Sequence, residues 1–490
     1  MENSIEYRFG IDFGTTNSTV VCFLEMEEGI RKIKIADIHD GPIPSIIGIN
    51  KKNTSEVVYG RELWEQRQQM YDDYEIISRI KADIDKDKVW VINGEKFTPT
   101  DIASKLFDAL NDRVEKTLSV RMKEAVVAVP AGFAAKKRER LREAAKRAGI
   151  QITSFISEST AAIFKNYKEI GHYKKVAIFD WGGGTLDVSV VENSGGAIKE
   201  LGIRSLELGG ENIDEILTQK IHERICDARE KYISYEKVSE KDKDKLRVRC
   251  EEAKRRLSDD DIVSIQLNSY SIFGVIREKM SYEWFSELVN FPIKAAIDTF
   301  NKALQLAEVD ISELGCILMV GGTSKLRPLQ EKLAEVWKDI NVIYPYDPEW
   351  DIAFGAAKLS KYPGKTVLNQ NLGLLLSDDS IMDILKVGDE IPTQVKEYQL
   401  ALVEDSKSAN FVFVEKQNNF VEYKNIGNVV VRAFGFFQEE FVVKAQVNGD
   451  GIFKCSIKSS QRDEIFRQKI EYADLKYIYH LPLEEEDKYE

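Results

Sequence analysis

The stretch Ile11-Asp12-Phe13-Gly14-Thr15-Thr16 returns in altered form as Phe179-Asp180-Trp181-Gly182-Gly183-Gly184-Thr185. Each copy follows an apolar run and reads aspartate, aromatic, glycine, small residues. Each then turns back into a second strand, Ser18 to Cys22 in the first copy and Asp187 to Val191 in the second. Glycines and threonines placed after a strand allow a tight turn that brings backbone N–H groups against anionic oxygens. The hydroxyls of Thr15, Thr16 and Thr185 add donors. Two carboxylates flanking a polyphosphate would repel it unless a divalent cation lay between them, so the pair Asp12 and Asp180 implies Mg²⁺. One such hairpin alone reads as an ordinary glycine turn. Two matching hairpins, each with its aspartate, imply a duplicated domain with a cleft between the halves.

Outward from the hairpins, residues 1 to about 360 alternate strand-like and helical patterns. Ala125 to Val129 reads as a buried strand ended by Pro130, and Ala134 to Ala148 as a helix stopped by Gly149. Val176 to Asp180 and Cys316 to Val320 are further apolar runs leading into glycines, so the class is α/β. Further glycine turns lie at Leu208-Gly209-Gly210-Glu211 and Val320-Gly321-Gly322-Thr323, the latter before a helix-like stretch from Arg327 to Trp337. From about residue 371 the texture changes to short strands: Leu372 to Leu376, Gln399 to Val403, Phe411 to Val414, Val429 to Val431 and Phe441 to Val447. Asn448-Gly449-Asp450-Gly451 reads as a hairpin turn. The expected division is a domain over 1–364, a linker over 365–370, an all-β domain over 371–472 and an acidic tail over 473–490.

Composition narrows the classes further. The chain has 490 residues, 31% charged and 43% hydrophobic, with a net charge of −13. That fits a globular chain of two or more domains and argues against a general affinity for nucleic acid, which needs basic surface. Cys22, Cys226, Cys250, Cys316 and Cys455 are scattered and form no Cys-x-x-Cys pair, so reduced, buried thiols are expected in a cytoplasmic protein. No leader and no membrane span are visible, and no membrane partner is expected.

Several stretches, in this order, resemble the seventy-kilodalton heat-shock chaperones: GIDFGTTNS (10–18), AVVAVPAGF (125–133), SESTAA (157–162), FDWGGGTLDVSV (179–190), LELGGENID (206–214), CEEAKRRLS (250–258), MVGGTSKL (319–326) and PEWDIAFGAA (348–357). The resemblance is strong over 5 to about 360 and weaker over the β region, through LGLLLSDDSIMDILKVGDEIPT (372–393) and VNGDGIFKCSIKS (447–459). It implies an actin-like ATPase domain with a central nucleotide cleft, followed by a smaller β-sandwich, in a short form without the helical lid.

The resemblance also implies roles. Asp12 and Asp180 hold hydrated Mg²⁺ and K⁺. Gly14, Thr15, Thr16, Asn17, Gly182, Gly183 and Gly184 cradle phosphates, with Gly209, Gly210 and Glu211 beside them. Glu158, Thr185 and Asp187 organise the terminal phosphate and the attacking water. Glu251, Lys254, Arg255 and Ser258 hold ribose and base, and Gly321, Gly322, Thr323, Lys325 and Glu349 complete the pocket. On spacing alone, the segment CEEAKRRLS also reads as an exposed charged helix. In the β-sandwich, the resemblance places Asn410 and Val412 toward a peptide pocket, with Leu374 and Leu400 nearby.

Departures from the family pattern are specific. The catalytic lysine matches Lys81 in Ser78-Arg79-Ile80-Lys81, with Arg79 as the rival register. The base-stacking arginine is Lys325, which lacks a planar face. Ser154 and Ser157 replace residues that dock J-domain co-chaperones. The expected function is an ATP-dependent chaperone-like ATPase that hydrolyses ATP to ADP and phosphate slowly, with unfolded polypeptide clients, co-chaperones and a nucleotide-exchange factor as partners. The alternatives are an actin-like enzyme such as a sugar kinase, and a pseudo-ATPase module with a dedicated protein partner.

Overall fold

The computed structural model describes residues 6–26, 29–416, 423–434, 439–461, 465–470 and 475–483. The chain divides into two units. The first comprises 1–131, 140–193 and 201–361; the second comprises 132–139, 194–200 and 362–490.

The first unit is built around two sheets made to one plan. In one, Glu6–Asp12 pairs antiparallel with Asn17–Met26 and parallel with Glu124–Val129, which in turn pairs parallel with Gln151–Ser157. In the other, Lys175–Trp181 pairs antiparallel with Leu186–Ser194 and parallel with Cys316–Val320. Asp12 and Asp180 occupy equivalent places. Asp12 is the last and Asp180 the penultimate residue of the central strand of its sheet, paired across the hairpin to Thr19 and Asp187 respectively. The repeat in the sequence is therefore a repeat in the fold. Central strands covered on both faces need apolar side chains at successive positions, and Ala125 to Val129 and Cys316 to Val320 are buried throughout.

Helix Asp351–Lys361 packs on strand Glu6–Asp12 and on helix Glu158–Lys165 at very short range. A Cβ at Gly10 would lie 2.0 Å from the Ala357 amide nitrogen, and one at Gly355 would lie 1.9 Å from the Ala161 carbonyl oxygen. The small side chains of Ala353, Ala356 and Ala357 on the same helix are fully buried. Phe179, Phe300 and Trp337 pack together in the core of the second half, with ring centroids 4.3 Å apart for Phe300 and Trp337. The helix expected over 134–148 runs Ala135–Arg147, and Gly149 beyond it takes φ +78°. All five cysteines are free and buried. Among the described residues, no helix is long and apolar enough to cross a membrane.

In the second unit, two four-stranded antiparallel sheets enclose a core of Leu374, Phe411, Phe413, Phe441 and Phe453, among others. Asn448 to Gly451 form the expected turn, with the Gly451 amide donating to the Asn448 carbonyl at 3.0 Å. Two segments differ from expectation. Lys365–Leu368, read as linker, is a strand. Tyr477–His480, read as part of the tail, is a strand that pairs on one edge with Ala197 to Lys199 and on the other with Lys365–Leu368. Both are four residues long, too short for alternation to register. Both gain their order from pairing partners distant in sequence. The expected boundary at 472 and residues 484–490 of the tail lie outside the described residues.

Candidate functional site

The first hairpin is held from below by Ser45. Its amide donates to the Thr16 carbonyl at 2.7 Å and its hydroxyl to the Gly14 carbonyl at 2.9 Å. The second is closed by the Gly182 amide donating to the Thr185 carbonyl at 2.9 Å. The later glycine turns converge on it. The amides of Gly210 and Glu211 donate to the carbonyls of Gly182 and Gly183 at 3.1 and 2.8 Å, and the Thr323 hydroxyl donates to the Gly182 carbonyl at 2.8 Å. Glycine is required where these loops meet. A Cβ at Gly183 would sit 2.4 Å from the Thr16 hydroxyl oxygen, and one at Gly321, which also has φ +79°, would sit 2.6 Å from an Asp180 carboxylate oxygen. The four glycine turns quoted from the sequence thus ring a single place.

That place is buried and strongly charged. The Lys81 ammonium donates to Glu158 at 2.7 Å, and both side chains are almost fully enclosed. Burial pushes the Glu158 carboxyl up to about 7, with Asp12 and Asp187 adding to the rise and Lys81 opposing it. Burial also raises Asp180 well above the usual carboxylate range, reinforced by Glu158, Asp187 and Asp12. Asp12 is raised by burial against the pull of Lys81. Burial works against the Lys81 ammonium, but Glu158, Asp12 and Asp187 outweigh it and its pKa rises. Four carboxylates therefore share one lysine, a local excess of negative charge that suits a further cation. The Thr185 hydroxyl donates to one oxygen of Asp187 at 2.9 Å, and the Ser205 hydroxyl donates to the other.

The two registers for the lysine end in different surroundings. Lys81 lies inside, whereas Arg79 has φ +60°, is 42% exposed in its side chain, and reaches Glu211 at 3.5 Å. Of the residues expected at ribose and base, Lys254 is buried and donates to Asp214 at 2.8 Å and to the Gly210 carbonyl at 3.1 Å, which ties the helix Glu240–Arg256 to the third glycine turn. Burial raises Asp214 to about 6 despite that partner. Arg255 pairs with Glu251 at 2.8 Å, and Lys325 with Glu349 at 3.8 Å. Ser258 is half-buried just beyond the helix end, and Asn17 opens the first return strand.

Sequence reading missed Ser45, Ser205 and Asp214, which act on named site residues through hydrogen bonds. It also missed Arg67 and Asp244. These pair through two hydrogen bonds, one of 2.6 Å, with both side chains 4% exposed, and they join helix Gly60–Met70 to helix Glu240–Arg256. The only sequence sign of this pair is a charge in each of two charge-rich helices.

The four residues expected to form a peptide pocket do not share a face. Leu374 is buried in the sandwich core opposite Phe413, and Leu400 packs partly on that core from the other sheet, opposite Phe441. Asn410 is exposed opposite Val430, and Val412 lies half-buried between Leu375 and Asn428. Strand alternation places 410 and 412 on the face away from the core, and 374 on the core face. Leu374→Ala is accordingly expected to destabilise the sandwich by about 2–5 kcal/mol, against about 0.5 kcal/mol for Asn410→Ala. Urea unfolding of both variants checks this.

The family model described as Hsp70 protein matches residues 8–473. A heat shock cognate HSP70 protein of Trypanosoma brucei brucei is 30% identical over 270 residues, which are 54% of this chain and 40% of that protein. A chaperone protein DnaK of Ureaplasma urealyticum serovar 10 is 27% identical over 367 residues, 72% of this chain and 58% of the relative. The chain thus spans about half the length of the curated relatives it matches. With paired glycine hairpins, one buried lysine among four carboxylates and a family match over nearly its whole length, the chain belongs to the Hsp70 family.

Proposed function

We propose that the chain is a Mg²⁺-dependent, chaperone-type ATPase, hydrolysing ATP to ADP and phosphate between the two hairpins while the β-sandwich binds extended segments of unfolded polypeptide. The observation that carries this reading is the buried Lys81–Glu158 pair set among Asp12, Asp180 and Asp187, beside two glycine–threonine turns.

The donor set fits a hydrated divalent cation. Asp12 and Asp180 would present carboxylate oxygens to its water shell from equivalent places in the two sheets. Among the described residues no three His, Cys, Asp or Glu side chains lie close enough to grip a metal directly, so the aspartates would hold it through its water ligands. Bound there, Mg²⁺ supplies charge neutralisation for the phosphates. The Lys81 ammonium opposes the charge that develops on the transferring phosphoryl group. Thr185 orients Asp187 toward the attacking water, and Ser205 fixes the same carboxylate from its other side. K⁺, J-domain co-chaperones and a nucleotide-exchange factor belong to this proposal through the family.

Asp12→Asn and Asp180→Asn are each expected to lower kcat about tenfold or more, with a smaller loss of ATP affinity, since each ~1.4 kcal/mol of transition-state stabilisation is a factor of ten. Steady-state phosphate release, measured with and without unfolded polypeptide, tests this. Normal turnover in both variants sinks the site assignment. ATP-dependent phosphorylation of a sugar, without polypeptide stimulation, would replace the chaperone reading with a kinase.

A further inference from the structure

The Glu211 side chain is held by two groups of the kind that bind phosphate. The Thr16 hydroxyl, on the first hairpin, donates to one carboxylate oxygen at 2.6 Å. The Arg79 guanidinium reaches the other at 3.5 Å. The backbone of Glu211 is fixed to the opposite hairpin through its amide bond to the Gly183 carbonyl at 2.8 Å. One carboxylate, tied through its own backbone to the second hairpin, therefore accepts from Thr16 of the first hairpin and from Arg79.

Arg79 itself stands in an uncommon conformation. Its φ of +60° places a long-chain residue in the left-handed region, a strain that persists only where the surroundings enforce it. It opens the short helix Ile80–Asp83, which carries Lys81. Arg79 thus stands next but one in the chain to Lys81, whose ammonium meets Glu158. Its contact with Glu211 is long and partly exposed, so it is weak and readily exchanged.

We propose that Glu211 is an internal competitor of the terminal phosphate, and that Arg79 is the residue by which the site distinguishes ATP from ADP. A third phosphate, with more charge and three acceptor oxygens, displaces the carboxylate from Arg79 and Thr16. A diphosphate leaves both groups with Glu211. Arginine suits such an exchange because its planar fork pairs equally well with carboxylate and phosphate. The proposal rests on the reading of the site as an ATPase.

Calorimetric titration of the full chain with Mg·ATP and with Mg·ADP tests it. Asparagine tolerates the left-handed backbone, so Arg79→Asn keeps the fold accessible. Arg79→Asn is expected to weaken ATP binding about tenfold and leave ADP within about twofold. Arg79→Lys should recover part of the loss. Glu211→Gln, which weakens the competitor, should tighten ATP about threefold and leave ADP unchanged. Equal loss of both nucleotides in Arg79→Asn, no loss of either, or weaker ATP binding in Glu211→Gln overturns the proposal while the ATPase reading stands. Failure of the wild-type chain to bind either nucleotide overturns the ATPase reading itself.

Discussion

Replacing Lys81 with alanine is expected to lower the rate of ATP hydrolysis by about a hundredfold or more, the scale seen when a single preorganised electrostatic group is removed from a developing charge. The ammonium is shared by Glu158, Asp12 and Asp187, and the Glu158 contact at 2.7 Å is enclosed. Its loss also leaves Glu158 buried without its counter-ion. A destabilisation of about 3–5 kcal/mol should therefore accompany the kinetic effect, and single-turnover rates are best compared well below the melting temperature. Lys81→Met keeps most of the side-chain volume and isolates the charge. A rate within threefold of wild type in both variants, with ATP bound, would falsify the role given to Lys81. The Arg79→Asn chain should differ in kind, with its main loss in KM for ATP rather than in kcat.

The second large effect concerns folding. Gly355→Ala is expected to destabilise the first unit by more than about 4 kcal/mol, or to prevent soluble expression. The added methyl would have to occupy a point 1.9 Å from the Ala161 carbonyl oxygen, with further backbone atoms at 2.5 and 2.8 Å, so no flexible side chain can move aside. Gly10→Ala meets the same helix from the strand side and should behave alike. Gly41→Ala is the control: its Cβ meets only the tip of Arg61 at 3.7 Å, and its φ of −95° suits any residue. Denaturant midpoints for the three variants decide the matter. A Gly355→Ala midpoint close to that of Gly41→Ala would show that helices Asp351–Lys361 and Glu158–Lys165 can separate without cost.

What could be read from the sequence followed from how local each signal was. A strand ending in aspartate, aromatic and glycine is a contiguous pattern, so both hairpins and the return strands were legible, as was the α/β class from the alternation around them. The register at Lys81 was not. The backbone turns through the left-handed region at Arg79, and no pattern in Ser78-Arg79-Ile80-Lys81 marks an arginine as the residue that does so. Arg67 and Asp244 were invisible for another reason. GRELWEQRQQM and EKDKDKLRVRCEEAKRR both have the composition of solvated helices, and only their packing against each other buries one charge from each. The sandwich strands were legible as strands. The face each residue takes was less legible: Leu374 pairs with Phe413 and Asn410 with Val430, on opposite faces of the same sheet.

The strand Tyr477–His480 lies between Ala197 to Lys199 and Lys365–Leu368, yet it is the last of the three in the chain. During synthesis, the segments at 197 and 365 emerge first, each with a row of peptide groups facing a neighbour that does not yet exist. Roughly a hundred residues separate Leu368 from Tyr477. At ribosomal speeds of about 5–20 residues per second, that gap lasts on the order of 5–20 s. Throughout it, the nascent chain carries two unpaired strand edges, the kind of surface that recruits foreign strands. A member of a chaperone family thus enters the cell with an interval in which it is itself exposed to aggregation, and that interval closes only when residue 480 has left the ribosome.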